Sequence, residues 1–372
     1  MKAIGLILAG GQSDRLKELC DVRATAAMPV GSSYRAIDFT LSNMSNSGIN
    51  KVAVITQYNS RSLHDHLSSA KWWDLGRKQG GLFVFTPFLS KDNSYWFRGT
   101  ADSIYQNITF LKRSNEPYVI ITGGDTVYKM DYQDIINYHI EKNADITIVC
   151  KDIKNTDMDP RDFGIMECDE NMRMTDFEEK PVDTPSSSLA SLGIYVIKRT
   201  LLIKLLETIN AEDRYDLVRD IITRYRKKLN IFGYCFDGYW KTINSINNYF
   251  NANMDFLNRD VRNIFIKEKP YIETKPKDEP PAKYNSGAEV KNALIGSGSI
   301  INGYVSNSVL FRKVFASDGS SINKSIIMEG STIGKDCNVE YAIIDKEVVI
   351  SDGKNVIGKP DNPIVISKGT VL

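Results

Sequence analysis

The chain is poor in the residues that most often do redox, metal or acid–base chemistry. Its 372 residues include five cysteines and three histidines. Cys20, Cys150, Cys168, Cys235 and Cys337 are scattered, odd in number and show no CxxC pairing. They read as reduced, mostly structural thiols rather than a disulfide framework. His64, His66 and His139 match no zinc spacing, so histidine-based catalysis and a zinc centre are both unexpected. An excess of one charge is missing too. Lys and Arg number 47 against 46 Asp and Glu, for a net +1, so bulk electrostatics point to neither nucleic acid nor an anionic membrane. No segment approaches the roughly 18 uninterrupted apolar residues that span a bilayer. The N-terminus enters a strand almost at once, without the apolar core of a signal peptide. A cytoplasmic protein free of nucleic acid and membrane is expected, although local basic residues can still serve small anionic ligands.

What is present is ordinary for a globular chain: 42% hydrophobic and 25% charged residues, enough for one large domain and a smaller one. The opening stretch runs Gly5-Leu6-Ile7-Leu8-Ala9-Gly10-Gly11-Gln12-Ser13-Asp14-Arg15-Leu16. Ile4 to Ala9 has the length of a buried parallel strand, and Gly10-Gly11 breaks it. Such glycines permit a positive-φ turn and bring bare N–H groups close to whatever lies over the strand end. Arg15 then offers a planar fork of donors suited to nucleotide phosphates. On its own, a Gly-Gly is better explained by a plain strand–turn–helix junction with a surface arginine, because short glycine motifs recur widely.

Further buried strands are expected at Lys51–Thr56, Tyr118–Thr122, Asp145–Cys150, Leu189–Ile197 and Ile231–Phe236. Helices are expected at Leu41–Gly48, Tyr132–Lys142 and Asp213–Lys228, the last carrying Asp220. Strands alternating with helices over about 240 residues predict a doubly wound α/β domain with a parallel sheet. Asp125 follows Gly123-Gly124 at a strand end, the ligand edge of such a sheet. A carboxylate there can hold Mg²⁺ against phosphates or merely cap a turn, and the two readings weigh about evenly. Lys180, beside Glu178 and Glu179, is either a phosphate ligand with a sugar-hydroxyl acceptor next to it or part of a solvated charge run. Gly193 interrupts its strand, which often marks close approach of a ligand.

Near residue 256 the character changes. Arg259 to Tyr284 is rich in Lys, Asp, Glu and Pro and reads as a surface linker. Beyond it Val290, Ile295, Ile300, Val305, Leu310, Ile322, Ile327, Ile333, Val339, Ile344 and Ile350 recur every five or six residues or about twice that. This hexapeptide period predicts a parallel β-helix, whose coils need their neighbours to bury the aliphatic stack. The expected division is a nucleotide-binding α/β domain at 1–256, a linker at 257–288 and a β-helix at 289–372.

The segments LILAGGQSDRL, YRAIDFTLSNMSNSGI, VITQYNSRSL, WFRGTADSIYQN, GGDTVYKMDY, RDFGIM, FEEKP, ASLGIYVI and GYWKTINSINNYFNANMDFL, together with the repeats, resemble bacterial ADP-glucose pyrophosphorylase (glucose-1-phosphate adenylyltransferase) over nearly the whole length. The resemblance implies a Rossmann-like nucleotidyltransferase domain followed by a left-handed β-helix. It implies Mg²⁺-dependent joining of ATP and glucose 1-phosphate into ADP-glucose and pyrophosphate for glycogen synthesis. It further implies that Gly10, Gly11 and Arg15 cradle the ATP phosphates and that Gln57, Gly99 and Thr100 line the adenine site. Asp125 is then the metal carboxylate, and Gly164, Glu179, Lys180, Ser191 and Tyr195 hold glucose 1-phosphate, with Lys180 on its phosphate. A hexapeptide-repeat acyltransferase is disfavoured because all three histidines precede the repeats.

Four departures from the family pattern matter. The third glycine of GGxGxRL is Ser13, the Ala-Lys-Pro-Ala lysine is Thr25, and the histidine after the strand-end aspartate is Thr126. The Gly-Tyr-Trp-x-Asp-Val-Gly-Thr segment reads Gly238-Tyr239-Trp240-Lys241-Thr242-Ile243-Asn244-Ser245, so a second metal aspartate is Thr242. An anion effector usually read by the lysine would be read differently or not at all. This pattern resembles the GlgD-type subunit, which modulates a catalytic GlgC-type partner in hetero-oligomers. The alternatives are a fully competent enzyme and a non-catalytic scaffold. Tetramer contacts through the β-helix are expected, with Phe311 and Phe315 exposed on its flanks.

Overall fold

The computed structural model describes residues 2–11, 13–76, 80–88, 95–154, 156 and 158–372, so Gln12 of the glycine turn lies outside the described residues. The N-terminal part contains strands β1 (Ala3–Leu8), β2 (Pro29–Val30), β3 (Tyr34–Arg35), β4 (Lys51–Ile55), β5 (Gly81–Phe85), β6 (Tyr118–Gly123) and β7 (Thr126–Tyr128). It continues with β8 (Ile146–Asp152), β9 (Gly164–Cys168), β10 (Met174–Glu179), β11 (Leu189–Lys198), β12 (Ile231–Cys235) and β13 (Trp240–Thr242). Its α-helices are α1 (Ala36–Asn46), α2 (Arg61–Leu67), α3 (Thr100–Tyr105), α4 (Ile108–Lys112), α5 (Tyr132–Glu141), α6 (Arg199–Asn210), α7 (Ile246–Asp255) and α8 (Arg259–Ile266).

A nine-stranded sheet organises this domain, with the path β10-β9-β11-β6-β1-β4-β5 and β8 and β12 branching from β11. Strand β1 shows why it forms. Side chains alternate across a strand, and Ala3 and Ile7 enter the apolar cluster beneath α1 and α5, while Ile4 and Leu6 enter the one beneath α3 and α6. A strand covered on both faces must be apolar throughout, as this one is.

The sheet is mixed rather than all parallel. β1 pairs in parallel with β4 and β6, but β11 runs antiparallel to β6, β8 and β9. Hydrophobic periodicity sets which face a strand buries, not which way its neighbour runs, so that feature escapes a sequence reading. The segment expected to be helical from Asp213 is helical only around a π-turn at Val218–Thr223. Asp213 has φ +55°, and Asp220, fully buried, accepts the N–H groups of Tyr215 (3.0 Å) and Asp216 (2.9 Å). Asp220 is thus a buried cap for the turn that precedes it.

The C-terminal part is a left-handed β-helix made of three parallel five-stranded sheets. Each sheet carries one ladder inside: Val290-Val305-Ile322-Val339-Val356, Ile295-Leu310-Ile327-Ile344-Ile366, and Ile301-Ala316-Ile333-Ile350. Ile301 is fully buried and Ile300 is 36% exposed, so the inward residue of that coil is one position later than the repeat count places it. Segment 257–288 holds α8, with Phe265 buried, and then Lys283–Tyr284, which pairs with the first β-helix sheet.

Between the two parts lies a third cluster in which Leu16, Phe39, Phe256 and Phe265 meet Val309, Phe311, Ile326 and Met328. Phe311 is therefore buried (4% exposed) and Phe315 half-buried, not the exposed pair expected from the repeats. A repeat pattern specifies what points into the β-helix, and Phe311 points out of it onto the other domain. Arg23 fastens the same junction through an ion pair to Asp345 (2.7 Å), with both side chains buried.

Candidate active site

Three cavities run together along the carboxyl ends of β1 and β6. Leu8, the last residue of β1, and Thr100, the first of α3, line all three. One of about 180 Å³ is walled by Gly10, Gly11, Gln57, Phe97, Gly99, Thr100 and Ser103. A second, about 450 Å³, is bordered by Gly11, Ser13, Arg15, Thr25, Asp125, Lys180 and Asn244. A third, about 270 Å³, is lined by Asp125, Asp162, Gly164, Glu179, Ser191, Gly193, Tyr195, Trp240, Thr242 and Asn244. Every site residue expected from the sequence faces this one cleft. The resulting order is an apolar pocket, a basic-edged middle and a hydroxyl-rich end.

The glycine turn sits at the middle. Neither Gly10 nor Gly11 has a positive φ, so the turn demands space rather than a left-handed backbone. A Cβ on Gly11 would meet nothing within 4 Å and would project into the open cleft, where it would crowd a ligand brought against the backbone. Arg15 extends across the mouth to Asp162 at 2.6 Å. Its side chain is 51% exposed, and pairs of that kind contribute only about 0–1 kcal/mol, so an incoming phosphate can displace the carboxylate at small cost. Ser13 donates its hydroxyl to the Asn244 carbonyl at 2.6 Å, tying the glycine turn to the loop after β13.

In the apolar pocket, Gln57 accepts the Phe97 N–H at 2.7 Å and Thr100 Oγ1 accepts the Leu217 N–H at 2.9 Å. Both side chains act first as braces of the pocket. Gly99 is required by packing, because a Cβ there would lie 2.4 Å from the Tyr215 carbonyl oxygen.

At the hydroxyl-rich end, β11 carries a bulge between Ser191 and Ile194, and Gly193 takes φ +69° within it. The bulge re-aims the strand so that Ser191, Gly193 and Tyr195 all border the cavity. Burial raises the Tyr195 phenol well above its usual range, opposed by a hydrogen bond with Ser191. It therefore stays a neutral hydroxyl. Gly164 makes room for the acid opposite: a Cβ would fall 2.3 Å from the Phe177 ring and 2.7 Å from a Glu179 carboxylate oxygen. Burial raises the Glu179 carboxyl above its ordinary value, and Lys180 partly offsets it. Lys180 adopts φ +50°, uncommon for a side chain bearing a Cβ, and its N–H donates to the Phe163 carbonyl at 2.9 Å. That twist turns the chain out of β10 and leaves Lys180 on the middle cavity beside Arg15.

Asp125 stands where the middle and hydroxyl-rich cavities meet. Burial raises its carboxyl pKa, opposed by its own backbone N–H. The antiparallel pairing of β7 with β13 sets Thr242 opposite Thr126, and the Ile243 N–H donates to the Asp125 carbonyl at 3.1 Å. Thr242, Thr126 and Thr25 are all buried around this carboxylate or its cavity. Among the described residues, no three His, Cys, Asp or Glu side chains converge as a metal-holding group. Asp125 alone fits the protein's share of a divalent cation whose remaining ligands are phosphate oxygens and water.

Asp162, Asn244 and Trp240 line the cleft without having been singled out as ligands from the sequence. Asp162 lies in RDFGIM and the other two in GYWKTINS, so the segments were visible but the contacts, across 147 and 231 residues, were not.

Residues 4–259 match the Nucleotidyl transferase family, and residues 280–362 match the family described as GlmU-like, C-terminal hexapeptide. Similar proteins include the glucose-1-phosphate adenylyltransferases of Bacillus thuringiensis (strain Al Hakam), Bacillus anthracis and Bacillus mycoides (strain KBAB4). Each is 38% identical over 378 residues, covering 99% of this chain and 98% of the relative. With that identity along its full length, and with a nucleotidyl transferase cleft in its first domain, the chain belongs to the glucose-1-phosphate adenylyltransferase family.

Proposed function

We propose that the cleft binds ATP and glucose 1-phosphate as its relatives' names imply, and that this chain is the GlgD-type, modulatory member of a hetero-oligomer with weak adenylyl transfer of its own. The family reaction joins a phosphate oxygen of glucose 1-phosphate to the α-phosphorus of ATP, while the bond to the β-phosphate breaks and pyrophosphate leaves. The protein's work in such a transfer is positioning and charge neutralisation. Gln57, Gly99 and Thr100 would seat the base. Gly10, Gly11 and Arg15 would take the triphosphate. Lys180 would hold the sugar phosphate, and Glu179, Ser191 and Tyr195 the hydroxyls, against the Gly164 floor. A divalent cation, Mg²⁺ on this reading, would bind at Asp125 and supply counter-charge to the phosphates.

One observation carries the modulatory half of this reading: the side chains beside Asp125 are neutral. Thr242 and Thr126 face each other across the β7–β13 pair, and Thr25 borders the middle cavity. A single preorganised electrostatic contact is commonly worth roughly 10²–10³ in rate. Missing both a metal carboxylate and a phosphate lysine lowers turnover further, though the two effects need not add. The position of Thr25 on the middle cavity relates its lost charge to the phosphates themselves. The partner is on this view a catalytic GlgC-type subunit, and the assembly a tetramer.

The test is ADP-glucose formation with Mg²⁺ by the purified chain, alone and mixed with a GlgC-type subunit. Negligible turnover alone, with a changed rate or effector response in the mixture, is the expected result. Robust turnover by the chain alone would replace this reading with that of a competent enzyme. Neither activity nor any effect on the partner would leave a scaffold.

A further inference from the structure

Three of the five cysteines, scattered in sequence, come together in the fold. Strands β8 and β12 pair in parallel with Cys150 directly opposite Cys235, and their sulfurs lie 3.8 Å apart. Neighbouring strands run about 4.7–4.9 Å apart, inside the 4.4–6.8 Å Cα separation that a disulfide spans. Cys168, at the end of β9, closes the group. Gly233 is the notch that permits it, because a Cβ there would stand 3.3 Å from the Cys150 sulfur and 3.4 Å from that of Cys168. β8 is the one named strand that β12 pairs with among the described residues, and the bridge on its other side, at Phe232 and Gly233, stops short of Cys235, which is exposed while Cys150 is buried.

The hydrogen bond between the two sulfurs divides their roles. It holds the Cys235 thiol down to about 7, and with burial it pushes Cys150 well up. Cys235 is thus the sulfur of the pair more readily present as thiolate, the form that attacks a disulfide.

We propose that Cys235 and Cys150 are a reversible oxidation site for low-molecular-weight disulfides of the glutathione class. The Cys235 thiolate attacks one sulfur of the disulfide, forming a mixed disulfide and expelling one thiolate. With the Cys235 thiolate consumed, the first cause of the raised Cys150 thiol is gone; Cys150 attacks the Cys235 sulfur and its proton passes to the departing second sulfur, which leaves as a thiol. The oxidant gains two electrons and leaves as two thiols, and the protein holds a Cys150–Cys235 bond across β8 and β12. The bond would sit at the root of the loop to β13: the Phe236 N–H donates to the Cys150 carbonyl at 2.8 Å, and Lys151 reaches the Gly238 carbonyl at 3.0 Å.

The test is to incubate the native full-length chain with excess oxidised glutathione, quench in acid, alkylate the remaining thiols and map peptides by mass spectrometry. A Cys150–Cys235 linked peptide is expected, with two thiols lost and both regained in dithiothreitol. Cys150→Ser should trap glutathione on Cys235, and Cys235→Ser should leave Cys150 unmodified. Retention of all five thiols by the wild-type chain, a Cys168–Cys235 link, or first modification of another cysteine would each overturn the assignment. The wild-type map decides the matter even where a variant fails to fold.

Discussion

Thr242→Asp puts a second carboxylate where the cleft now has a hydroxyl, and its consequences can be worked out in advance. Thr242 lies opposite Thr126 on the β7–β13 pair, and Asp125 is the residue before. Asp125 and Thr242 line the same cavity, and neighbours that are offset rather than directly opposed lie about 5–8 Å apart. At an effective dielectric constant near 20, two like charges at that separation repel by about 2–3 kcal/mol. Asp125 already has its carboxyl raised by burial, and a second anion pushes it in the same direction. Without a cation, the variant should therefore be less stable than the parent by up to about 3 kcal/mol, or hold a proton between the two acids.

A divalent cation reverses the sign, since the repelling pair is then its ligand set. Thermal melting with and without Mg²⁺ reads this directly. At about 2 °C per kcal/mol for a domain of this size, the Mg²⁺-induced rise should exceed the parent's by about 4–6 °C. Adenylyl transfer by the isolated chain should increase at least tenfold, and Thr25→Lys in addition should bring it towards the 10²–10³ expected of a restored electrostatic contact. A variant with no extra Mg²⁺-dependent melting shift, and a rate within twofold of the parent, would show that the neutral residue at 242 is not what limits this cleft.

Two further outcomes follow from the same geometry. Arg23→Met leaves Asp345 buried without its cation, and breaking such a pair costs about 3–5 kcal/mol, whereas Arg23→Met with Asp345→Leu should recover most of it. Urea unfolding of both variants checks this, and a single variant within 1 kcal/mol of the parent would mean the junction does not depend on the pair. For Asp125, the folded-state pKa is raised, so the folded chain binds the extra proton and stability falls as pH rises from the ordinary carboxylate range through the folded value. Asp125→Asn should accordingly raise the metal-free melting temperature at pH 7–8 and change it little near pH 4, and a lower melting temperature at neutral pH would contradict the burial argument.

What could be read in advance divides along physical lines. Strands β1, β4, β6, β8 and β11 were legible because a strand buried on both faces is a continuous apolar run with a breaker at its end. The same breakers exposed Gly10, Gly11 and Asp125 as cleft residues, since ligands gather at the carboxyl edge of such a sheet. Strand direction was not legible. The antiparallel course of β11 depends on how the chain returns through the β9–β10 pair, which no local period records. Nor was the facing of Phe311, because a hexapeptide repeat encodes the inside of a β-helix and is silent about its outside. Long-range polar contacts were the least legible of all: Arg23 finds Asp345, and Ser13 finds Asn244, by tertiary placement alone.

That last contact bears on how the departures from the family pattern are distributed. Ser13 and Asn244 both replace glycines of the resembling motifs, and in the fold they touch each other. Thr242 lies two residues from Asn244, and Thr25 lines the same cavity as both Ser13 and Asn244. The altered positions thus follow the line where the two cavities meet at Asp125: Ser13 and Thr25 border the middle one, Thr126 and Thr242 the hydroxyl-rich one, and Asn244 both. The rest of the hydroxyl-rich cavity, with Gly164, Glu179, Ser191 and Tyr195, keeps its glycine-made space, its bulge and its neutral hydroxyls. Tyr195 also belongs to the core cluster beneath α3 and α6, and Trp240 to the one beneath α1 and α5, so packing helps to hold this end of the cleft in shape. On the reading proposed above, a cleft that keeps its space and hydroxyls but has neutral side chains beside Asp125 is what a subunit that senses the substrates while its partner turns them over would need.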